Sequence, residues 1–95
     1  MINALTPRYR DIKKQYPDCL ILFECGETYL ALEKDAETLS KELEIDLCLL
    51  SDLNSVDSQW YSEFPEYYLS SYLKRLIVSG NKVLISCNKL LVNGI

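Results

Sequence analysis

Apolar residues recur at helical spacing in three parts of the chain, with charged or polar residues between them. This is the pattern of helices that bury one face. The first helix is predicted over residues 7–15, with Thr6 as its cap and Pro7 at its first position. The second is predicted over residues 34–44, and the third ends before Gly80, which suits a C-terminal cap. The apolar stripes are Tyr9, Ile12 and Tyr16; Ala36, Leu39 and Leu43; and Leu69, Tyr72, Leu73, Leu76 and Ile77.

Short apolar runs between these helices predict strands. The run at residues 19–25 is nearly continuous, which is typical of a central strand buried on both faces. A strand at residues 27–32 follows the turn at Gly26, so the two strands should form a hairpin. Residues 51–62 are polar and are predicted to form a loop. Further strands are predicted at residues 46–50, 82–87 and 90–92.

This order of elements predicts an α/β (α+β) fold, with a mixed sheet of about five to six strands flanked by about three helices. The 95 residues suffice for one domain, residues 1–95, and are too few for two. No apolar run approaches the roughly 20 residues that cross a bilayer, and the first residues lack the pattern of a signal peptide. We therefore expect a soluble, cytoplasmic domain without membrane contact. Whether it is a whole gene product is left open.

The residue types exclude most catalytic arrangements. The chain has no His, so neither a Ser-His-Asp nor a Cys-His arrangement can form, and it has no Gly-rich phosphate-binding motif. The four cysteines form no CxxC pair and are expected to be buried or half-buried free thiols, rather than zinc ligands or disulfides. They are Cys19, Cys25, Cys48 and Cys87. The sequence thus predicts a non-enzymatic binding domain with no metal, cofactor or small-molecule substrate.

The charge balance bears on which partner is bound. The net charge is −4 and the pI is about 4.7. A duplex-binding protein normally neutralises phosphates with a Lys/Arg surface. The acidic balance therefore argues against strong autonomous DNA binding at physiological salt, although charge can be local.

One carboxylate interrupts an apolar strand. Glu24 lies inside the predicted central strand, one residue before Cys25 and the glycine turn. A carboxylate there could belong to a site, because burial perturbs its protonation. The alternative is an edge position or an ion pair with Lys82, and this alternative is favoured.

Aromatic residues cluster around the start of the third helix. They can form core and a covered loop, or they can form a partner surface, because Tyr and Trp are enriched at interfaces. Tyr67 and Tyr68 are adjacent and cannot both face the core of one helix, so at least one should be exposed. The candidate partner surface consists of Trp60, Tyr61 and Tyr67.

The order of these motifs resembles a known family. A Thr6-Pro7 helix precedes the hydrophobic strand, and the turn Gly26-Glu27-Thr28-Tyr29 follows it. A Phe64-Pro65 step then opens the third helix, which contains Tyr72-Leu73. From Thr6 to about Cys87, the chain resembles the N-terminal domain of MutS, the DNA mismatch-recognition protein. The resemblance implies a mixed sheet flanked by helices.

The resemblance also identifies the residues that would read a mismatch, and in this chain they have changed. After the glycine turn the MutS family has Gly-Asp-Phe-Tyr-Glu, in which the Phe wedges beside the mispaired base and the Glu hydrogen-bonds it. The matching positions here are Gly26, Thr28, Tyr29 and Leu30. Thr28 replaces the Phe and cannot stack on a base, and Leu30 replaces the Glu and cannot accept a hydrogen bond.

Two functions follow from the resemblance. The first is a MutS domain I-like module that binds duplex DNA weakly and in a salt-sensitive way, or is associated with DNA mismatch repair, without the Phe-x-Glu reader or the ATPase. Its preceding strand carries Glu24 where the family often has a basic residue, and this carboxylate would repel phosphate. The alternative is a protein–protein interaction module that reuses the fold.

Overall fold

The computed structural model describes residues 2–51 and 58–87, and it contains one five-stranded sheet with helices on both faces. In chain order the elements are α1 (Ile2–Gln15), β1 (Cys19–Cys25), β2 (Thr28–Leu32), α2 (Glu33–Leu43), β3 (Cys48–Ser51), β4 (Ser58–Pro65), a 3-10 turn (Glu66–Tyr68), α3 (Leu69–Val78) and β5 (Lys82–Cys87). The strand order in the sheet is β3-β4-β2-β1-β5, in which β1 and β5 are parallel and the other neighbours are antiparallel. Three helices and a five-stranded mixed sheet confirm the predicted fold class.

Strand β1 supplies both halves of the core. Its side chains alternate between faces: Leu20 and Leu22 pack towards α2 and α3, whereas Ile21 and Phe23 pack towards α1. All four are buried, which confirms the prediction of a central strand covered on both faces. The cluster under α2 and α3 also contains Tyr29, Ala31, Ala36, Leu39, Leu43, Phe64 and Leu76, and the cluster under α1 contains Leu5, Tyr9, Leu30 and Leu32.

The predicted hairpin is present and ends in a two-residue loop. Cys25 pairs with Thr28, so Gly26 and Glu27 form the loop. Gly26 has φ 64°, the left-handed conformation that glycine supplies at the first position of a type II′ hairpin turn. A Cβ built on Gly26 would meet nothing within 4 Å, so the constraint is conformational rather than steric.

The end of α3 is capped as predicted, but one residue of its stripe is not buried. The N–H of Gly80 donates to the carbonyl of Ile77 at 3.0 Å, and that of Asn81 donates to Leu76 at 3.0 Å. With φ 95° at Gly80, this is a Schellman cap. Ile77 is 59% exposed, whereas its neighbour Leu76 is fully buried, and the helix ends at Val78.

Helix α1 begins earlier than predicted. It starts at Ile2, so Thr6 is not its cap and Pro7 lies inside it. The missing N–H of Pro7 costs one helical hydrogen bond. Leu5 is buried against the sheet with Tyr9, one turn later, and this packing holds the added turn. The Thr6 hydroxyl is used instead as a partner of the Gln59 amide.

The predicted loop at residues 51–62 is wrong where the structure describes it. Residues 58–62 belong to β4, which pairs with β2 on one side and with β3 on the other. These pairings satisfy its backbone, so a polar sequence can occupy an interior strand. Ser62 is fully buried, and its hydroxyl donates to the carbonyl of Asp46 at 2.8 Å. Residues 52–57 and the predicted strand at 90–92 lie outside the described residues.

An ion pair between half-buried Lys13 and buried Asp35 fixes α1 to the sheet and to α2. Lys13 Nζ lies 2.8 Å from Asp35 Oδ1 and donates to the carbonyl of Cys19 at 2.6 Å. Asp35 Oδ2 accepts the N–H of Ile21 at 3.0 Å. Burial, followed by the charge of Asp35, raises the pKa of Tyr9. No helix within residues 2–51 and 58–87 has the length and apolarity to span a membrane.

Candidate functional site

The four family positions lie at the end of the β1–β2 hairpin, but they do not share one surface. The pleat of β2 turns Thr28 and Leu30 towards α1, whereas Tyr29 points towards α2 and α3. Gly26 lies in the exposed loop that joins the strands. The side chains at these positions are therefore divided between two layers of the fold.

Leu30 is part of the hydrophobic core. It is 3% exposed and belongs to the cluster formed with Leu5, Tyr9 and Phe23 beneath α1. Its strand neighbours are Phe23 in β1 and Glu63 in β4. An apolar side chain buried between a helix and a sheet stabilises the fold and cannot reach a ligand.

Thr28 is the only reader position with an accessible side chain. It is half-buried at the last strand pair of the hairpin, between Cys25 and Pro65. Its short hydroxyl-bearing side chain offers no flat apolar surface on which a base could stack.

Tyr29 is anchored inside the domain. It is 7% exposed, and its ring stacks on Phe64 with a centroid distance of 5.8 Å. Its hydroxyl donates to Glu24 Oε2 at 3.3 Å. Burial, followed by the nearby charge of Glu24, raises the pKa of Tyr29 above its ordinary value. Tyr29 therefore holds the hairpin in place.

Glu24 is neither at an edge nor beside Lys82, so the favoured prediction is wrong. Strand β1 lies between β2 and β5. Glu24 pairs with Cys87, whereas Lys82 pairs with Cys19 at the other end of β1, about 16 Å away at the rise of a strand. Glu24 instead accepts hydrogen bonds from Tyr29 and from Cys87 Sγ, the latter at 2.9 Å.

Glutamates surround the hairpin end. Glu27 lies in the loop, and its carbonyl accepts the N–H of Glu66 at 2.8 Å. Glu63 pairs across from Leu30, and Glu24 closes the group from β1. Burial raises the pKa of the Cys25 thiol, and the charges of Glu63 and Glu24 raise it further. Four glutamates thus lie at this end of the domain. We refer to Glu24, Glu27, Glu63 and Glu66 as the acidic rim.

Comparison with known proteins accounts for this architecture. Residues 3–89 match the family described as MutS domain I. This chain belongs to the MutS domain I family. It is 38% identical over 93 residues to the DNA mismatch repair protein MutS of Methanosarcina barkeri, covering 95% of this chain and 10% of that protein. It is 41% identical over 88 residues to MutS of Alkaliphilus metalliredigens, covering 88% of this chain and 9% of that protein.

The chain spans about one tenth of the length of these MutS relatives. Thermotoga neapolitana MutS gives the same result, with 37% identity over 84 residues and 10% of its length covered. The membership confirms the resemblance found in the sequence, and it supports a module related to DNA mismatch repair.

In this MutS domain I chain, the proposed aromatic partner surface is divided. Trp60 and Tyr61 are neighbours in β4 and point to opposite faces, with Tyr61 packed on the cluster beneath α1. Trp60 is 39% exposed and pairs in register with Leu49 of β3. Tyr67 lies in the 3-10 turn beyond Pro65, the last residue of β4, which is about 17 Å from Trp60 along the strand. The three residues do not form one continuous patch.

The structure instead shows a row of contacting rings, which joins part of the predicted aromatic cluster to Tyr29, a link that the sequence did not predict. The row leads from the core to the surface through Tyr29, Phe64, Tyr72, Tyr68 and Tyr67, with centroid distances of 5.0 to 5.8 Å. Tyr67 is 86% exposed and Tyr68 is also exposed, which confirms that the pair cannot both face the core. Helical spacing links Tyr68 to Tyr72, but only the β2–β4 pairing brings Tyr29 to Phe64.

The cysteines of this MutS domain I chain are free thiols. Cys19, Cys25 and Cys48 are half-buried, as predicted, whereas Cys87 is exposed because β5 is an outer strand of the described sheet. Within residues 2–51 and 58–87, no group of three or more Cys, Asp or Glu side chains is arranged to hold a metal ion.

Proposed function

We propose that this chain is a DNA-associated MutS domain I module that does not read mismatches. Its contact with duplex DNA is weak and salt-sensitive, or it joins a mismatch-repair assembly through its scaffold. The observation that carries the proposal is the burial of Leu30, which is 3% exposed at the position where the family has its base-bonding Glu. No rotation of this buried leucine side chain can bring a hydrogen-bond acceptor to a base.

The second reader position supports the same proposal. An aromatic wedge offsets the cost of unstacking a base step by stacking on the bases itself. Thr28 cannot do so, and the acidic rim next to it would repel the phosphates that flank a mismatch. A matched and a mismatched duplex should therefore bind equally. We also expect no ATP hydrolysis from these 95 residues, because they contain no Gly-rich phosphate-binding motif.

Fluorescence anisotropy of labelled duplexes tests the proposal. Matched duplex and duplex with one G·T mismatch would be titrated at about 50 mM and about 200 mM salt. The wild type should bind both equally at the lower salt and lose both at the higher. Thr28→Phe restores only the wedge, because Leu30→Glu would disturb the core, and it should bind the mismatched duplex more tightly than the matched one.

Thr28→Val is the matched control, because valine has the size of threonine and lacks the aromatic ring of phenylalanine. This variant should behave as the wild type. A wild-type preference for the mismatched duplex would refute the loss of the reader. Absence of binding to either duplex at low salt would refute the DNA-binding form of the proposal.

A protein-interaction module is the second candidate, and one observation favours it. Tyr67 is 86% exposed at the end of a row of contacting rings, and tyrosine is enriched at binding hot spots. Self-association or capture of a specific partner should then be lost in Tyr67→Ala or Trp60→Ala. A partner retained equally well by both variants would argue against this function.

A further inference from the structure

Helix α1 carries positive charge in a protein that is acidic overall. It contains four basic residues and one acidic residue, Asp11. Helix α1 covers one face of the sheet, whereas α2 and α3 cover the other. The acidic rim and α1 therefore give the domain two regions of opposite sign. The basic residues are Arg8, Arg10, Lys13 and Lys14.

Two of these four cations already have partners within the fold. Lys13 is ion-paired with Asp35, and Arg8 Nη2 donates to the carbonyl of Cys87 at 3.4 Å. Arg10 and Lys14 differ from them. Both are exposed, and no carboxylate of residues 2–51 and 58–87 forms an ion pair with either.

Arg10 and Lys14 are four residues apart, so they lie on the same side of α1, one turn from each other. Like charges at this spacing repel, and an anion placed between them removes the repulsion. Together with Tyr9 and Lys13 they line an open cleft of about 370 Å³ along the helix. The cleft offers an extended anion a place against the helix surface.

We propose that the exposed face of α1, centred on Arg10 and Lys14, is where this chain contacts the phosphates of duplex DNA. The inference rests on the proposed DNA association and moves its location from the hairpin to α1. Charge complementarity selects the occupant, because a duplex presents a regular row of phosphates that an exposed pair of cations can neutralise. The hairpin end is less suited to contact with phosphates, since its glutamates have the same sign as the phosphates.

Charge reversal at matched positions tests this surface. Arg10→Glu/Lys14→Glu changes the net charge by the same amount as Lys34→Glu/Lys74→Glu, whose exposed positions lie on α2 and α3. The first variant should bind a labelled duplex about tenfold more weakly or worse at low salt, with a salt slope shallower by about two. The second variant should stay close to the wild type. Circular dichroism would verify that both are folded.

If the α1 reversal is poorly folded, Arg10→Gln/Lys14→Gln replaces it. This variant should also make the salt slope of DNA binding shallower, but by less than the charge reversal. Equal weakening by both reversals would mean that only net charge matters and would overturn the inference while leaving DNA association in place. Absence of wild-type binding would remove the proposed function itself. Binding of α1 to anionic phospholipid vesicles, with none to duplex, would also overturn the proposal.

Discussion

The hairpin end and helix α1 differ in charge and in burial. The hairpin has Gly26 in its left-handed turn and Tyr29 anchored on Phe64. Its side chains include the core residue Leu30 and the acidic rim. Helix α1 has no reader but offers two exposed cations. The difference shows that the hairpin has a packing role of its own, because Leu30 and Tyr29 each belong to one of the two cores.

The largest expected effect is that of restoring the family Glu. Leu30→Glu should lower the free energy of unfolding by about 4 kcal/mol or more, since it removes a buried leucine and buries a carboxylate. Burial would raise the pKa of the new Glu above its ordinary value of about 4.3, so the loss should be larger at pH 7 than at pH 5. Chemical denaturation at both pH values measures it.

Leu30→Met is the control for that experiment, because it conserves volume and should cost less than about 1.5 kcal/mol. A stable Leu30→Glu variant at pH 7 would show that position 30 can reach solvent. The contrast between a buried hairpin residue and the exposed cations of α1 would then be refuted.

A smaller effect should separate the structural from the exposed cations of α1. Lys13→Met leaves Asp35 buried without its cation and should cost about 2 kcal/mol, reduced from the full value for a buried pair because Lys13 is partly exposed. Arg10→Gln/Lys14→Gln should change stability by less than about 0.5 kcal/mol. Thermal unfolding of the three proteins measures the difference. Equal destabilisation by both changes would place Arg10 and Lys14 in the fold rather than on a binding face.

The smallest effect concerns the anchor of the hairpin. Tyr29→Phe removes one hydrogen bond to Glu24 and should cost about 1 kcal/mol near neutral pH. Because the pKa of Tyr29 is raised in the folded state, its contribution is complete below the ordinary value of 10.0 and is lost as the pH rises beyond it. The advantage of the wild type over Tyr29→Phe should therefore shrink in alkaline solution, as followed by urea unfolding. The exposed Tyr67→Phe is the control, and a constant advantage for Tyr29 would contradict its coupling to Glu24.

Elements with strong local patterns could be predicted from the sequence alone. The continuous apolar run gave β1 with its bounds, Gly26 marked the hairpin, and Gly80 marked the cap of α3. Strand β4 could not be predicted this way, because its polar residues are stabilised by pairing with β2 and β3, which are distant in sequence. The helical spacing of Arg10 and Lys14 was visible, but it could not show that no carboxylate of residues 2–51 and 58–87 forms an ion pair with them.

Residue types and local spacing predicted the order of most elements and the resemblance to the MutS family. They also place Thr28 and Leu30 at the positions where that family has Phe and Glu. Burial and pairing became visible in the tertiary structure. Leu30 is buried, and Glu24 faces Cys87 instead of Lys82. Lys13 forms an ion pair with Asp35, whereas Arg10 and Lys14 are exposed. The physical reason is that burial and charge pairing depend on which strands become neighbours, and strand register joins residues that the chain separates by as many as 63 positions.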